Sequence, residues 1–97
     1  MVAYFIADQQ EVTDPEMMKT YSAGVAATIE QFGGKFSVRG GNPEVLEGDW
    51  PGGRVIILEF EDRAAIKAWY DSPEYEELKA MRLASSRSNA IIVDGAL

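Results

Sequence analysis

The segment Arg54-Val55-Ile56-Ile57-Leu58-Glu59-Phe60 constrains this chain more than any other. Read with the two-residue period of a strand, Ile56, Leu58 and Phe60 form one apolar face, and Val55 and Ile57 form another. An antiparallel sheet with one wet face alternates apolar and polar residues. This segment does not alternate, and the strand-forming stretches Val2 to Ala7 and Asn89 to Asp94 are apolar on both sides as well. A sheet built from them is expected to be covered on both faces. The length of 97 residues suits one domain, residues 1–97. The remaining elements of so short a chain are few, which makes the second cover the central question.

Thr13-Asp14-Pro15-Glu16 opens a helix. Pro15 disfavours the helical region for Asp14, which suits Asp14 as N-cap and Pro15 as the first helical residue. Thr13 with Glu16 also fits a capping box, which leaves the first residue open. Met18, Tyr21, Val25, Ile29 and Phe32 then recur at spacings of three or four and make one apolar stripe. Gly33-Gly34 supplies the left-handed conformation that ends the helix. Lys35 to Arg39 alternates as a strand, with Phe36 and Val38 on one side and Ser37 and Arg39 on the other. Gly40 and Gly41 interrupt it as a bulge or bend, and Glu44 to Glu47 is expected to resume the strand. Pro51-Gly52 marks a turn. After the apolar strand, Asp62 caps a helix carrying Ala65, Ile66, Trp69 and Tyr70. Ser72-Pro73 restarts helix to about Ala84, with Glu74, Glu76 and Glu77 near its positive end and Lys79, Arg82 and Arg87 near its negative end.

The resulting order is β-α-β-β-α-β, the split βαβ arrangement of the ferredoxin-like fold. The fold class is α+β: a sandwich of a four-stranded antiparallel sheet with helices on one face. Two helical segments cover one face only. The simplest cover for the other is a second copy of the same sheet, so a homodimer is expected, burying Val55 and Ile57.

Composition removes several function classes. Nine basic and sixteen acidic residues give a net charge of −7. Such a chain is poorly suited to a phosphate backbone or an anionic membrane, so neither nucleic acid nor membrane is expected as a partner. It has no cysteine and no histidine. Disulfides, thiolate or imidazole metal sites, cysteine nucleophiles and Ser-His-Asp triads are thereby excluded. No metal and no cofactor are expected. The longest strongly apolar run, Val55 to Leu58, is far short of the roughly 20 residues of a membrane helix. Met1 to Ala7 lacks a basic leader and ends at Asp8, so the cytoplasm is the expected location.

Among the remaining side chains, Arg39 is the strongest candidate anchor for a ligand. Its planar fork can hold a carboxylate or enolate oxygen bidentately. The alternative is an ion pair with an internal acid such as Glu59, or an exposed edge charge. Glu59 can in turn be a general base, or simply the partner of Arg39. Trp69, Tyr70 and Tyr75 read as core or interface residues, and the hydroxyls of Tyr21 and Tyr75 can line a pocket. Trp50 is expected to clamp the loop between the two middle strands or to reach across a dimer. Ser72 is a cap before it is anything else. Arg82 is a helix-end charge or a second anion contact.

Several residue groups, taken in order, resemble a bacterial family known as domain of unknown function 1330. They are Tyr21; Gly33-Gly34-Lys35-Phe36 leading to Arg39-Gly40-Gly41; Glu47-Gly48-Asp49-Trp50; Glu59-Phe60; Trp69-Tyr70-Asp71-Ser72-Pro73-Glu74-Tyr75; Arg82; and Gly95. Together they span nearly the whole chain. Glu61 departs from the pattern, since the family usually has proline there, and this puts only the exit of the preceding strand in question. The resemblance implies the dimeric α/β-barrel superfamily, in which two ferredoxin-like sheets pack face to face. It implies no reaction. Two expectations follow. The first is a homodimer that binds a small organic acid near Arg39, with Tyr21, Glu59, Tyr75 and Arg82 as neighbours, any chemistry proceeding without metal or histidine. The second is a non-catalytic homodimeric binding or structural protein with no small-molecule substrate.

Overall fold

A computed structural model of the chain describes residues 1–50 and 53–96. The expected Pro51-Gly52 turn lies outside the described residues. The elements run β1 (Ala3–Val12), α1 (Pro15–Gln31), β2 (Lys35–Gly40), β3 (Arg54–Phe60), α2 (Arg63–Tyr70), α3 (Pro73–Ser85) and β4 (Ser86–Asp94). The four strands form one antiparallel sheet in the order β2-β3-β1-β4, the ferredoxin-like layout. No helix among the described residues is long and apolar enough to cross a membrane.

Local chemistry sets the helix boundaries. The Asp14 carboxylate accepts the Met17 amide at 3.1 Å, with Pro15 leading the helix. Asp62 accepts the Ala65 amide at 2.8 Å, and the chain passes through Glu61 to this cap without a proline. Ser72 accepts the Tyr75 amide at 3.2 Å while its own hydroxyl donates to the Trp69 carbonyl at 2.7 Å. The second helical stretch therefore breaks between Asp71 and Pro73, where the sequence places the break.

The two glycines after α1 have different tasks. Gly33 has φ +80°. Its amide donates to the Glu30 carbonyl, and the Gly34 amide donates to the Ile29 carbonyl, which is a Schellman closure. Gly34 is not left-handed. It is required because an added Cβ would stand 2.5 Å from the Phe60 ring and 2.8 Å from Ile29.

One face of the sheet carries Ala3, Phe5, Ala7, Leu58 and Phe60, all buried under the helices with Val25, Ile29, Ile66, Trp69 and Tyr75. The other face carries Tyr4, Ile6, Val55, Ile57 and Val93, which are half-buried, and Ile91, which is 56% exposed. No element among the described residues covers it. The two-faced strands are as the sequence reads them, with helices on one side only.

Two expectations are corrected. β2 contains a bulge at Ser37: Phe36 pairs with Leu58, while Val38 pairs with Ile57. The extra residue reverses the alternation, so Arg39, paired with Ile56, lies on the same helix-covered side as Phe36. Residues 44–47 do not resume the strand. Gly40, Gly41 and Asn42 all have positive φ and turn the chain out of the sheet into an exposed loop. Trp50 lies in the same loop, 53% exposed, beside Val45 and Leu46.

The glycine pair yields a test. Gly34→Ala is expected to cost about 1–3 kcal/mol by overpacking against Phe60. Gly33→Ala, with nothing within 4 Å of its added Cβ, should cost only its left-handed backbone, about 1–2 kcal/mol. Urea unfolding of both variants checks the pair. Equal losses accompanied by an unmoved Phe60 ring would contradict the packing argument.

Candidate functional site

The bulge in β2 and the register of the other strands bring a set of polar side chains to one end of the helix-covered face. Across that end, Arg54 on β3 pairs with Gln9 on β1, and Gln9 pairs with Ser88 on β4. One step inward, Arg39 pairs with Ile56, Ile56 with Ala7, and Ala7 with Ala90. Helix α1 contributes Met18, Tyr21 and Ser22 from above, and α3 contributes Arg82. Between them lies a cavity of about 50 Å³. Its inner wall is apolar, formed by residues that include Phe36, Leu58 and Trp69.

Arg82 is the central polar group. It is 8% exposed. Its Nε donates to the Tyr75 hydroxyl at 3.2 Å and one terminal nitrogen donates to the Ser88 hydroxyl at 3.2 Å. Both partners are neutral. Burial works against the charge. The adjacent tyrosine hydroxyls, Tyr75 first through its hydrogen bond and then Tyr21 and Tyr70, outweigh it, so the group is held above the ordinary arginine value and is a fixed cation. The Tyr75 hydroxyl also meets the Tyr21 hydroxyl at 2.8 Å. Burial, reinforced by Tyr75, pushes the Tyr21 hydroxyl well above the usual tyrosine range despite Arg82 and Arg39 nearby. Tyr21 is therefore a neutral hydrogen-bond donor and not a base.

Arg39 stands at the exposed mouth. Its guanidinium lies over the Phe36 ring at 4.3 Å and donates to the Ser22 carbonyl at 3.3 Å. Arg54, also exposed, packs beside Gly40. Four ion pairs occur among the described residues: Lys35–Glu59, Arg63–Asp94, Lys79–Asp71 and Arg87–Glu11. None involves Arg39, Arg54 or Arg82. No aspartate or glutamate lines the cavity either, in a chain that carries sixteen of them.

The sequence candidates divide accordingly. Tyr21, Arg39 and Arg82 line the cavity, and Tyr75 stands behind them as the hydrogen-bonded support of both Tyr21 and Arg82. Glu59 does not join them. It points from the open face of the sheet and pairs with Lys35 at 3.3 Å. It is neither the partner of Arg39 nor a base in this cleft. Arg82, read first as a helix-end charge, is the deepest cation of the site. Arg54 and Ser88 were not foreseen. The strand period supplied the clue for Arg54, which has the parity of Ile56, Leu58 and Phe60. Chemically, the arrangement can hold and stabilise an oxyanion with guanidinium groups and a hydroxyl donor. It offers no carboxylate to take up a proton.

Comparison with known proteins agrees with this architecture. The model of the family "Domain of unknown function (DUF1330)" matches residues 2–96. No curated protein matches the chain. Among solved structures, a protein of unknown function from Rhodopseudomonas palustris is similar, with TM-score 0.76, 20% identity and coverage of 99% of this chain and 83% of that one. A dimeric ferredoxin-like protein of unknown function from Jannaschia sp. CCS1 gives TM-score 0.73 at 12% identity, covering 98% and 100%. SnoaB, a cofactor-independent oxygenase from Streptomyces nogalater, gives 0.65 at 18% identity, covering 99% and 93%. Likeness at such identities establishes a shared fold.

Replacing the buried cation separates stability from site chemistry. A buried charge without a counter-charge contributes little stability, and an apolar residue of similar length removes its desolvation penalty. Arg82→Met is expected to melt no more than about 4 °C below the parent, the equivalent of roughly 1 kcal/mol for a domain of this size. Calorimetry checks this. A much larger fall would assign Arg82 to the framework.

Proposed function

We propose, for a chain that belongs to the DUF1330 family, a homodimer that holds a small organic acid in the arginine-lined cleft. The observation that carries this reading is Arg82, buried with the hydroxyls of Tyr75 and Ser88 and no carboxylate as partners among the described residues. A buried charge calls for a counter-charge. The cavity lining supplies none, and the carboxylate of a ligand supplies it with the geometry a guanidinium fork prefers. Tyr21 adds a hydroxyl donor to the same head group. The apolar body of the acid lies against Phe36, Ile56 and Leu58.

A cavity of about 50 Å³ holds one or two water molecules and no more. An organic acid therefore enters as Arg39 swings aside. Among the described residues a hydrogen bond to the Ser22 carbonyl and the Phe36 ring hold that side chain in place. With no carboxylate in the lining, the cleft acts by binding. Any transformation rests on the reactivity of the bound acid itself, without metal or histidine. Chemistry without a cofactor is what the name of one structural neighbour describes.

The homodimer rests on the open sheet face. Ile6, Val55, Ile57, Ile91 and Val93 form an apolar surface that no element of the chain covers among the described residues. A second copy of this sheet matches it in shape and chemistry, and a neighbour of the same fold is described as dimeric. The interface is expected to exceed about 1,200 Å² and to be largely apolar. The small cavity volume favours one second reading, a homodimer with no small-molecule ligand.

Two measurements test these statements. Sedimentation equilibrium at micromolar concentration should give a dimer, and Ile57→Lys should give a folded monomer; a stable parent monomer contradicts the dimer. Titration calorimetry with pentanoate and benzoate should detect binding that Arg82→Met weakens by about tenfold or more, as expected for a charge-assisted hydrogen bond. The absence of any carboxylate binding by the parent would favour the second reading.

A further inference from the structure

Three of the chain's nine basic residues line one small cleft. All three are arginines, and none has an acidic partner among the described residues. Of the other six, four are paired with carboxylates. The distribution opposes the overall charge of −7. Three cations sharing a cleft repel one another, and one carboxylate can engage only one fork bidentately.

The arginines also stand on different sides of the cleft. Arg82 descends from α3 onto Ser88 of β4. Arg54 and Arg39 rise from β3 and β2. Ser88 and Arg54 are separated by β1 alone, through the shared partner Gln9. Two strand spacings put their backbones about 10 Å apart. Between the two groups of cations the sheet presents Ala7 and Ile56, which pair across β1 and β3 and both line the cavity.

From this arrangement we infer that the ligand is a dianion with two separated carboxylates, a short dicarboxylate. This rests on the reading of the cleft as an organic-acid site and specifies the class of acid. One carboxylate meets buried Arg82 and Tyr21. The other meets Arg39 and Arg54 at the mouth, and the carbon chain between them crosses Ala7 and Ile56. The inner carboxylate is desolvated and supplies the countercharge; the outer one is solvated and selects for the second charge. A phosphate monoester also carries two charges, but it concentrates them on one group and reaches only one side of the cleft.

The experiment is titration calorimetry with glutarate, pentanoate and methyl phosphate, which separates charge number from charge spacing. Glutarate is expected to bind the parent at least about tenfold more tightly than pentanoate, the advantage of one further charge-assisted contact. In Arg39→Gln/Arg54→Gln, glutarate affinity should fall to that of pentanoate, while pentanoate affinity itself changes little. Circular dichroism confirms that the double variant is folded; both positions are exposed, so it should be. Equal affinities for glutarate and pentanoate in the parent overturn the dicarboxylate inference and leave the organic-acid reading intact. Methyl phosphate binding as tightly as glutarate overturns the separated-charge geometry. Binding by none of the three overturns both the inference and the reading beneath it.

Discussion

The indole of Trp69, fully buried, packs against Tyr75 of α3 with ring centroids 4.2 Å apart, against Phe60 of the sheet at 5.6 Å, and edge-to-face against Phe5 at 5.4 Å. Its Nε1 donates to the Thr28 hydroxyl of α1 at 3.1 Å, and that hydroxyl donates in turn to the Val25 carbonyl. One side chain thus ties all three helices to the central strands. The break between α2 and α3 serves this contact, because Ser72 bonds to the Trp69 carbonyl as it caps the next helix. Tyr75, fixed by the indole, places its hydroxyl where Arg82 and Tyr21 both reach it. The polar site is therefore positioned by the aromatic core beneath it.

Much of this was legible in the chain. Asp14-Pro15, Asp62 and Ser72-Pro73 announce their helices because capping is local chemistry. Strand β3 discloses two buried-type faces because Val55 to Leu58 is apolar without a polar residue between. The side of the sheet on which Arg39 lies was not legible. A bulge at Ser37 depends on how β2 pairs with β3, and nothing in Lys35-Phe36-Ser37-Val38-Arg39 demands it. One inserted residue moved Arg39 from the open face to the helix-covered face, and so parted it from Glu59. The glycines at 40 and 41 suggest an interruption, but they act after Arg39, turning the chain away from the sheet. Arg82 was ambiguous for a similar reason. A helix-end arginine is a surface charge unless the strand that follows brings a hydroxyl such as Ser88 beneath it.

The charge arrangement connects the fold to the reading of function. Glu59 and Lys35 neutralise one another at the margin of the open face, which leaves the centre of that face apolar and suited to a second sheet. On the covered face the opposite holds. The arginines there have no acidic partner among the described residues, and their local positive potential runs against an acidic chain. Such a cleft attracts anions by focusing the field of fixed cations within low-dielectric walls. Arg82 is buried there without a carboxylate partner among the described residues.

The most direct measurement of the central claim is the Nε–H resonance of Arg82 in a ¹H–¹⁵N spectrum, followed during titration with an organic acid. Burial and the bond to Tyr75 should make this signal visible and slow to exchange in the free protein. The acid should shift it in a saturable manner, together with the signals of Tyr21 and Ser88. A saturable shift confined to surface groups such as Lys19 and Lys67, with the Arg82 signal unmoved, would contradict the account.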